Sequence, residues 1–274
     1  TTILVVAKLD GKLYVNEWAE KYGSRYYCGE NGAAYTGFQT IDGKQYFFNE
    51  ETAVLYQDGV IKGNDGTCYV SSENGEAVKA ENNSWTEWYG KQYYVKDGAF
   101  LRDCIAKIGN ASYGFDYDGS LYEDTGFRMN EYDENGNYRN DHFYRAREDG
   151  TLYISAWYSN GYYREYYQAD GTRCDDGIYT IDGKSYYFRN GNVWVNQAIE
   201  ADDGTCYIAD QDGVLHQAEA NGWTEFAGRY YYAENGKFVK SEIRKIGDFY
   251  YGFDYDGRRY TSEEFFSSES DGQG

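Results

Sequence analysis

Proline is absent from this 274-residue chain, methionine occurs once and histidine only twice. Basic residues are scarce as well: 26 Lys and Arg stand against 46 Asp and Glu, leaving a net charge of −20. A field of that sign repels other polyanions, so nucleic acid and anionic membrane surfaces are excluded as partners. No apolar run approaches the ~18 residues a spanning helix needs. The apolar stretch Ile3 to Ala7 is short and lacks basic flanks, so no signal peptide is read and no membrane insertion is expected. Because Thr1 rather than Met comes first, the chain is read as a piece of a longer protein whose additional domains and targeting signals lie elsewhere.

Motifs for catalysis are equally lacking. His142 and His216 occupy non-matching places, with no recurring Ser, Cys or carboxylate partner. There is no G-x-S-x-G, P-loop or H-E-x-x-H string. Glycoside hydrolysis needs only two carboxylates, but in a deep, asymmetric cleft that thin repeats do not offer. The expectation is therefore a protein that is not an enzyme, with no catalytic residue and no cofactor. Cys28, Cys68, Cys104, Cys174 and Cys206 show no C-x-x-C spacing, and an odd count leaves at least one thiol free. Cys68 and Cys206 fall in matching D-G-T-C-Y strings, where a small buried apolar residue serves, so inert thiols are expected. The D-Y-D-G strings at Asp116 and Asp254 lack an oxygen-rich calcium loop and read as turns, so no metal is expected.

What is present is aromatic: 20% of the chain, including 34 Tyr, alongside 33 Gly. Disordered chains are poor in aromatics, so this one should fold. With few Leu and Val, burial must come from rings packed in small local clusters. The order of motifs is repetitive at an offset of 138 to 140 residues. T-I-D-G-K at Thr40 recurs at Thr180, D-G-T-C-Y at Asp65 recurs at Asp203, W-T-E at Trp85 recurs at Trp223, and Y-G-F-D-Y-D-G at Tyr113 recurs at Tyr251. Within each block, aromatic pairs follow one another every 20 to 25 residues, separated by Asp-Gly and Asn-Gly pairs suited to tight turns. Each short unit reads as a β-hairpin. Isolated hairpins are marginal in water, so successive ones must stack. The fold class expected is all-β: an elongated solenoid of stacked β-hairpin repeats with a tandem duplication of a block of about 138 residues. The boundaries expected are a first hairpin-repeat block at 1–126, a connector hairpin at 127–146, a second block at 147–263 and a flexible tail at 264–274.

T-I-D-G-K-Q-Y-F-F-N at Thr40 to Asn49 and T-I-D-G-K-S-Y-Y-F-R at Thr180 to Arg189 resemble the bacterial cell-wall-binding repeat superfamily. That group includes choline-binding repeats, glucan-binding repeats of streptococcal glucansucrases and the C-terminal repeats of clostridial toxins. The W-x4-G-x2-Y-Y segments at Trp85 to Tyr94 and Trp223 to Tyr232 look like the same family's G-W-x4-G-x-W-Y-Y signature. The resemblance implies a β-hairpin solenoid on a secreted or cell-surface protein, with ligand held by aromatic side chains between neighbouring hairpins. In the choline-binding version two Trp and a Tyr cage a cation; here Gln92 and Tyr230 take the second Trp position, so that cage is incomplete. A sugar needs only flat rings and polar groups for its hydroxyls. The function expected is a non-catalytic binding module for polysaccharide or cell-wall glycan, anchoring a larger secreted bacterial protein. The alternatives are a structural spacer or protein-binding stalk, and a variant choline-binding module. The carbohydrate-binding candidates are Trp85 with Tyr93, Trp223 with Tyr231, Trp88 and its counterpart Phe226, and the matched pair Trp18 and Trp157.

Overall fold

The computed structural model describes residues 3–262. The expected tail at 264–274 lies outside them. Among the described residues there is no helix, hence none long and apolar enough to cross a membrane, and 27 short strands follow one another in antiparallel pairs. The chain divides into two compact units, Thr1–Leu152 and Tyr153–Gly274.

Two turn chemistries set the hairpins. In the first, a two-residue loop has both central residues in the left-handed region, as at Asp42-Gly43 (φ 50° and 78°) and Tyr89-Gly90 (φ 51° and 74°). Glycine takes that conformation without strain, and the resulting twist matches that of the flanking strands. Ile41 thus pairs with Lys44, and Trp88 with Lys91. In the second, an Asp carboxylate ties the loop. Asp65 Oδ1 accepts from the Thr67 amide (2.9 Å), while Gly63 and Thr67 close the turn. The D-Y-D-G strings form turns of this second kind. The Asp116 amide donates to the Ser120 carbonyl (2.8 Å) while its carboxylate accepts from the Tyr122 hydroxyl (3.0 Å), and Asp254 accepts from Arg258 Nε (2.9 Å).

In unit 1, Gly37–Ile41 and Lys44–Phe48 join Gly59–Lys62, Cys68–Ser71 and Glu76–Ala80 in a five-stranded sheet, followed by Ser84–Trp88, Lys91–Lys96 and Ala99–Phe100. Gly126–Tyr132 and Tyr138–Arg145 form a long hairpin within the same unit. Unit 2 holds three-stranded sheets at Gly177–Val193, Gln197–Ala218 and Gly222–Phe238, plus two further hairpins.

Because every strand alternates sides, each hairpin buries one ring face in a small cluster instead of feeding a common core. Val60, Val70 and Tyr93 form one such cluster, with Val78, Trp88 and Phe100 packed on it. Ala198, Cys206, Ile208, Tyr231, Ala233 and Phe238 form another, with Phe226 against it. All five cysteines are unbridged; Cys28, Cys68, Cys174 and Cys206 are buried and Cys104 is half-buried. Burial pushes the Cys174 thiol up to about 12 and raises the others as well.

Candidate functional site

Four tryptophans occupy one repeated environment. Trp18, Trp85, Trp157 and Trp223 each stand directly opposite a tyrosine of the same hairpin: Tyr27, Tyr94, Tyr166 and Tyr232. Each also meets a tyrosine and a phenylalanine of the following hairpin. The Trp85 ring lies 5.1 Å from Tyr94, 5.0 Å from Tyr113 and 6.0 Å from Phe115. The Trp223 ring lies 5.0 Å from Tyr232, 4.9 Å from Tyr251 and 5.9 Å from Phe253. Trp18 repeats this with Tyr27, Tyr46 and Phe48, and Trp157 with Tyr166, Tyr186 and Phe188. Edge-to-face and offset ring pairs of this kind stabilise by roughly 0.5–1.5 kcal/mol each beyond area burial, so these tryptophans fasten one hairpin to the next.

Tyr93 and Tyr231 do not share those clusters. Adjacent residues of a strand face opposite ways, and the register assigns Tyr94 and Tyr232, not their neighbours, to the tryptophan face. Tyr93 and Tyr231, each 1% exposed, point to the other side. There they meet Trp88 and Phe226 in two corresponding cavities.

In unit 1 a cavity of about 150 Å³ is walled by Asp58, Ser71, Ser72 and Glu73 on one side and Trp88, Tyr89, Lys91 and Tyr93 on the other. In unit 2 the residues 138 positions later enclose about 350 Å³: Asn196, Ala209, Asp210, Gln211, Phe226, Ala227, Arg229 and Tyr231, joined by Asp212. The larger volume follows from smaller walls, since Phe226 replaces Trp88 and Ala227 replaces Tyr89. Each cavity thus combines aromatic rings, one cation, and polar groups from the preceding hairpin.

The polar inventory of the unit 1 cavity is incomplete. Ser72 Oγ and Trp88 Nε1 are both buried without a hydrogen-bond partner. Buried donors are ordinarily paired, and leaving one unpaired costs about 1–3 kcal/mol, so two of the residues around the cavity each carry a polar atom with no partner within the chain. Lys91 Nζ bridges Asp58 (3.1 Å) and Asp118 (3.2 Å). Burial disfavours its charge, but those two hydrogen bonds outweigh burial and raise its pKa above the ordinary lysine range. Burial pushes the Tyr93 hydroxyl up to about 12. In unit 2, burial raises the Asp210 carboxyl, but hydrogen bonds from His216 and from the Val214 and Asp212 amides outweigh it and hold it low. His216 also lies against the Phe226 ring at 4.5 Å.

Of the expected residues, then, Trp88 with Tyr93 and Phe226 with Tyr231 line cavities, whereas Trp18, Trp85, Trp157 and Trp223 form the inter-hairpin clusters. Sequence reasoning missed Asp58, Ser72 and Lys91 and their counterparts Asn196, Asp210 and Arg229. The constant 138-residue offset, applied to polar residues as well as aromatic ones, was the signal available. His142 pairs with Glu131 (3.2 Å) in the long hairpin of unit 1, away from either cavity's lining. Among the described residues no group of three or more His, Cys, Asp or Glu side chains is arranged to hold a metal ion.

No family model matches the chain. It is 28% identical over 263 residues to Glucosyltransferase-I of Streptococcus downei, covering 87% of this chain and 16% of that protein. It is 24% identical over 241 residues to Glucosyltransferase-S of Streptococcus mutans serotype c, covering 85% of this chain and 12% of that protein. The chain therefore spans less than a fifth of the length of these curated relatives. Among solved structures, CbpJ of Streptococcus pneumoniae covers 89% of this chain and 99% of its own at 16% identity and a TM-score of 0.42. The choline-binding domain of CbpL from the same species covers 84% and 100% at 17% identity and a TM-score of 0.39. In a sequence similarity that runs through most of its length, the chain resembles part of these streptococcal glucosyltransferases, and its serial motifs resemble the bacterial cell-wall-binding and glucan-binding repeats.

Proposed function

We propose that the chain is a non-catalytic module that holds a neutral polysaccharide or cell-wall glycan, outside the cell, for a longer protein of which it is part. The corresponding cavities at Trp88–Tyr93 and Phe226–Tyr231 are the binding places in this reading. The observation that carries it is the unit 1 wall, where an aromatic ring stands beside two buried groups, Ser72 Oγ and Trp88 Nε1, that lack partners. Carbohydrates meet such a wall with a flat apolar face and with hydroxyls that both donate and accept. That the aligned relatives are named as glucosyltransferases supports a glucan as the polymer.

A purely structural spacer would keep its aromatics sealed. Here Tyr117 and Tyr255, at corresponding turns, are 76% and 78% exposed, and Tyr89 at the cavity rim is 62% exposed. A single shallow site binds weakly, but two on one chain gain by avidity when the polymer spans both.

Affinity electrophoresis through gels containing dextran or starch, with sedimentation on peptidoglycan, tests the reading. The parent should be retarded by one of these polymers. Trp88→Ala and Phe226→Ala should each reduce retention, and the double variant should lose more than both singles together. Ser72→Ala, which removes the unpartnered hydroxyl without opening a large void, should weaken retention while leaving the circular dichroism spectrum unchanged. Parent-like retention by a folded double variant would overturn the assignment.

A further inference from the structure

A third cavity lies within unit 2, between the hairpin of Gly177–Ile181 and Lys184–Arg189 and the turn that joins Gln197–Glu200 to Cys206–Ala209. At about 630 Å³ it is larger than the two described above. Ile178 and Tyr187, directly opposite each other in the hairpin, line it together with Arg189, while Ala201 and Asp202 line it from the turn.

The corresponding place in unit 1 is filled. There Phe38 stands where unit 2 has Ile178, and its ring lies 4.8 Å from Phe47 and 4.5 Å from Tyr69. That ring reaches the turn: a Cβ on Gly63, the counterpart of Ala201, would lie 3.4 Å from Phe38 Cε2. Asn64, the counterpart of Asp202, spans the remaining gap by donating to Glu50 (3.1 Å). In unit 2 the shorter Ile178 leaves that room open and is itself 39% exposed.

The substitutions that open the cavity also charge it. Arg189 stands where unit 1 has Asn49, and Asp202 where it has Asn64. The Arg189 guanidinium lies over the Trp194 ring (5.3 Å), which in turn packs on Tyr187 (5.5 Å), so rings and not a carboxylate hold it in place. Among the described residues Arg189 makes no ion pair, although four carboxylates line the same cavity. Three of these are engaged by backbone amides: Asp176 by Asn190, Glu200 by Phe238 and Asp203 by Thr205. The Asp202 carboxylate accepts no hydrogen bond among the described residues. One uncommitted cation and one uncommitted carboxylate therefore stand on the two sides of an open cavity.

We infer that this cavity binds a short peptide with free termini, its carboxylate held by Arg189, its ammonium by Asp202 and its backbone against Tyr187 and Ile178. A guanidinium fork matches a carboxylate with two parallel hydrogen bonds, and a ring-stacked one is already oriented for it. A cavity of this size with an apolar floor and a few polar groups suits a small ligand. A zwitterion carries no net charge, so the chain's net charge of −20 does not repel it. The site is separate from the two glycan cavities and the inference does not rest on the glycan reading; either stands if the other fails.

The test titrates the 15N-labelled chain at pH 7 and fixed ionic strength with triglycine, with N-acetyltriglycine, which lacks the ammonium, and with triglycinamide, which lacks the carboxylate. Triglycine should shift the Trp194 indole N–H and the Ala201 and Asp202 amide signals saturably, and each blocked peptide should bind at least tenfold more weakly. Arg189→Gln should lower the affinity for triglycine to that of the parent for triglycinamide, and Asp202→Asn to that of the parent for N-acetyltriglycine. Ile178→Phe gives unit 2 the ring that fills unit 1; it should abolish the response while the indole signals of Trp157 and Trp223 keep their parent positions, showing that the fold is intact. Shifts that do not saturate with triglycine, equal affinity for triglycine and either blocked peptide, or a parent-like response in folded Ile178→Phe would overturn the inference.

Discussion

Replacing Trp223 by alanine should unfasten two neighbouring hairpins. The indole sits among Tyr232, Tyr251 and Phe253 at 5.0, 4.9 and 5.9 Å, with Arg259 across its face at 5.5 Å. Truncating a fully buried Trp costs about 3–5 kcal/mol. Trp223 is half-buried, so the area component falls to about 2 kcal/mol. Three ring contacts add roughly 0.5–1.5 kcal/mol each, and the cation over the face about 0.5–1 kcal/mol. These contributions share atoms and do not add fully, which places the expected loss near 4 kcal/mol. Trp223→Phe keeps a flat ring against Phe253 and should lose about half as much. Urea unfolding followed by far-ultraviolet circular dichroism measures both, with an unchanged denaturant slope showing that the unfolded state is not what moved. A loss below about 1 kcal/mol for Trp223→Ala would refute the claim that these clusters hold successive hairpins together.

Gly236→Ala should destabilise unit 2 by about 2–4 kcal/mol in the same assay: the residue has φ 74°, and a Cβ there would lie 2.6 Å from the Gly204 carbonyl oxygen, backbone that cannot swing away. For the Lys91 bridge the sign follows from Asp118, whose burial raises its carboxyl but whose hydrogen bonds from Ser120 and Lys91 outweigh it and hold it low. A depressed folded-state pKa stabilises above the unfolded value near 4 and is lost as pH falls through the lower folded value, so the stability gap between parent and Asp118→Asn should be widest at neutral pH and close in acid below about pH 4. All five thiols are raised by burial, so alkylation of the native protein near pH 8 should be slow throughout, with half-buried Cys104 modified first and Cys174, at about 12, last; rapid labelling of Cys174 in folded protein would contradict its packing.

The hairpins were legible because their signals are local. An Asp-Gly pair such as Asp42-Gly43 needs only its own two residues to set a turn, and aromatic pairs such as Tyr93-Tyr94 mark a strand whatever surrounds them. Which tyrosine meets Trp85 was not legible from density of aromatics alone. It depends on register: Trp85 opposes Tyr94, so Tyr93 must face the other way, and Trp85 and Tyr93, expected to share one cleft, stand on opposite faces of one hairpin. The arginines that lie over tryptophan rings show a further limit. Arg25 over Trp18 and Arg164 over Trp157 follow a fixed spacing that a sequence can display, but Arg259 reaches Trp223 from the next hairpin and replaces them only in space. The cavities lay between, since their polar walls come from a hairpin some twenty residues earlier than their rings and become visible only when Asp58 and Asn196, or Lys91 and Arg229, are aligned across the 138-residue offset.

The most direct measurement of the central claim is amide and indole chemical-shift mapping of the 15N-labelled chain with a soluble oligosaccharide cut from whichever polymer retains it. Saturable shifts should gather at Ser72, Trp88, Tyr89 and Lys91 in unit 1 and at Gln211, Phe226 and Arg229 in unit 2, with the Trp88 indole N–H among the largest as it acquires a partner. Saturable shifts confined to residues outside both cavities, with the Trp88 indole unmoved, would contradict the claim.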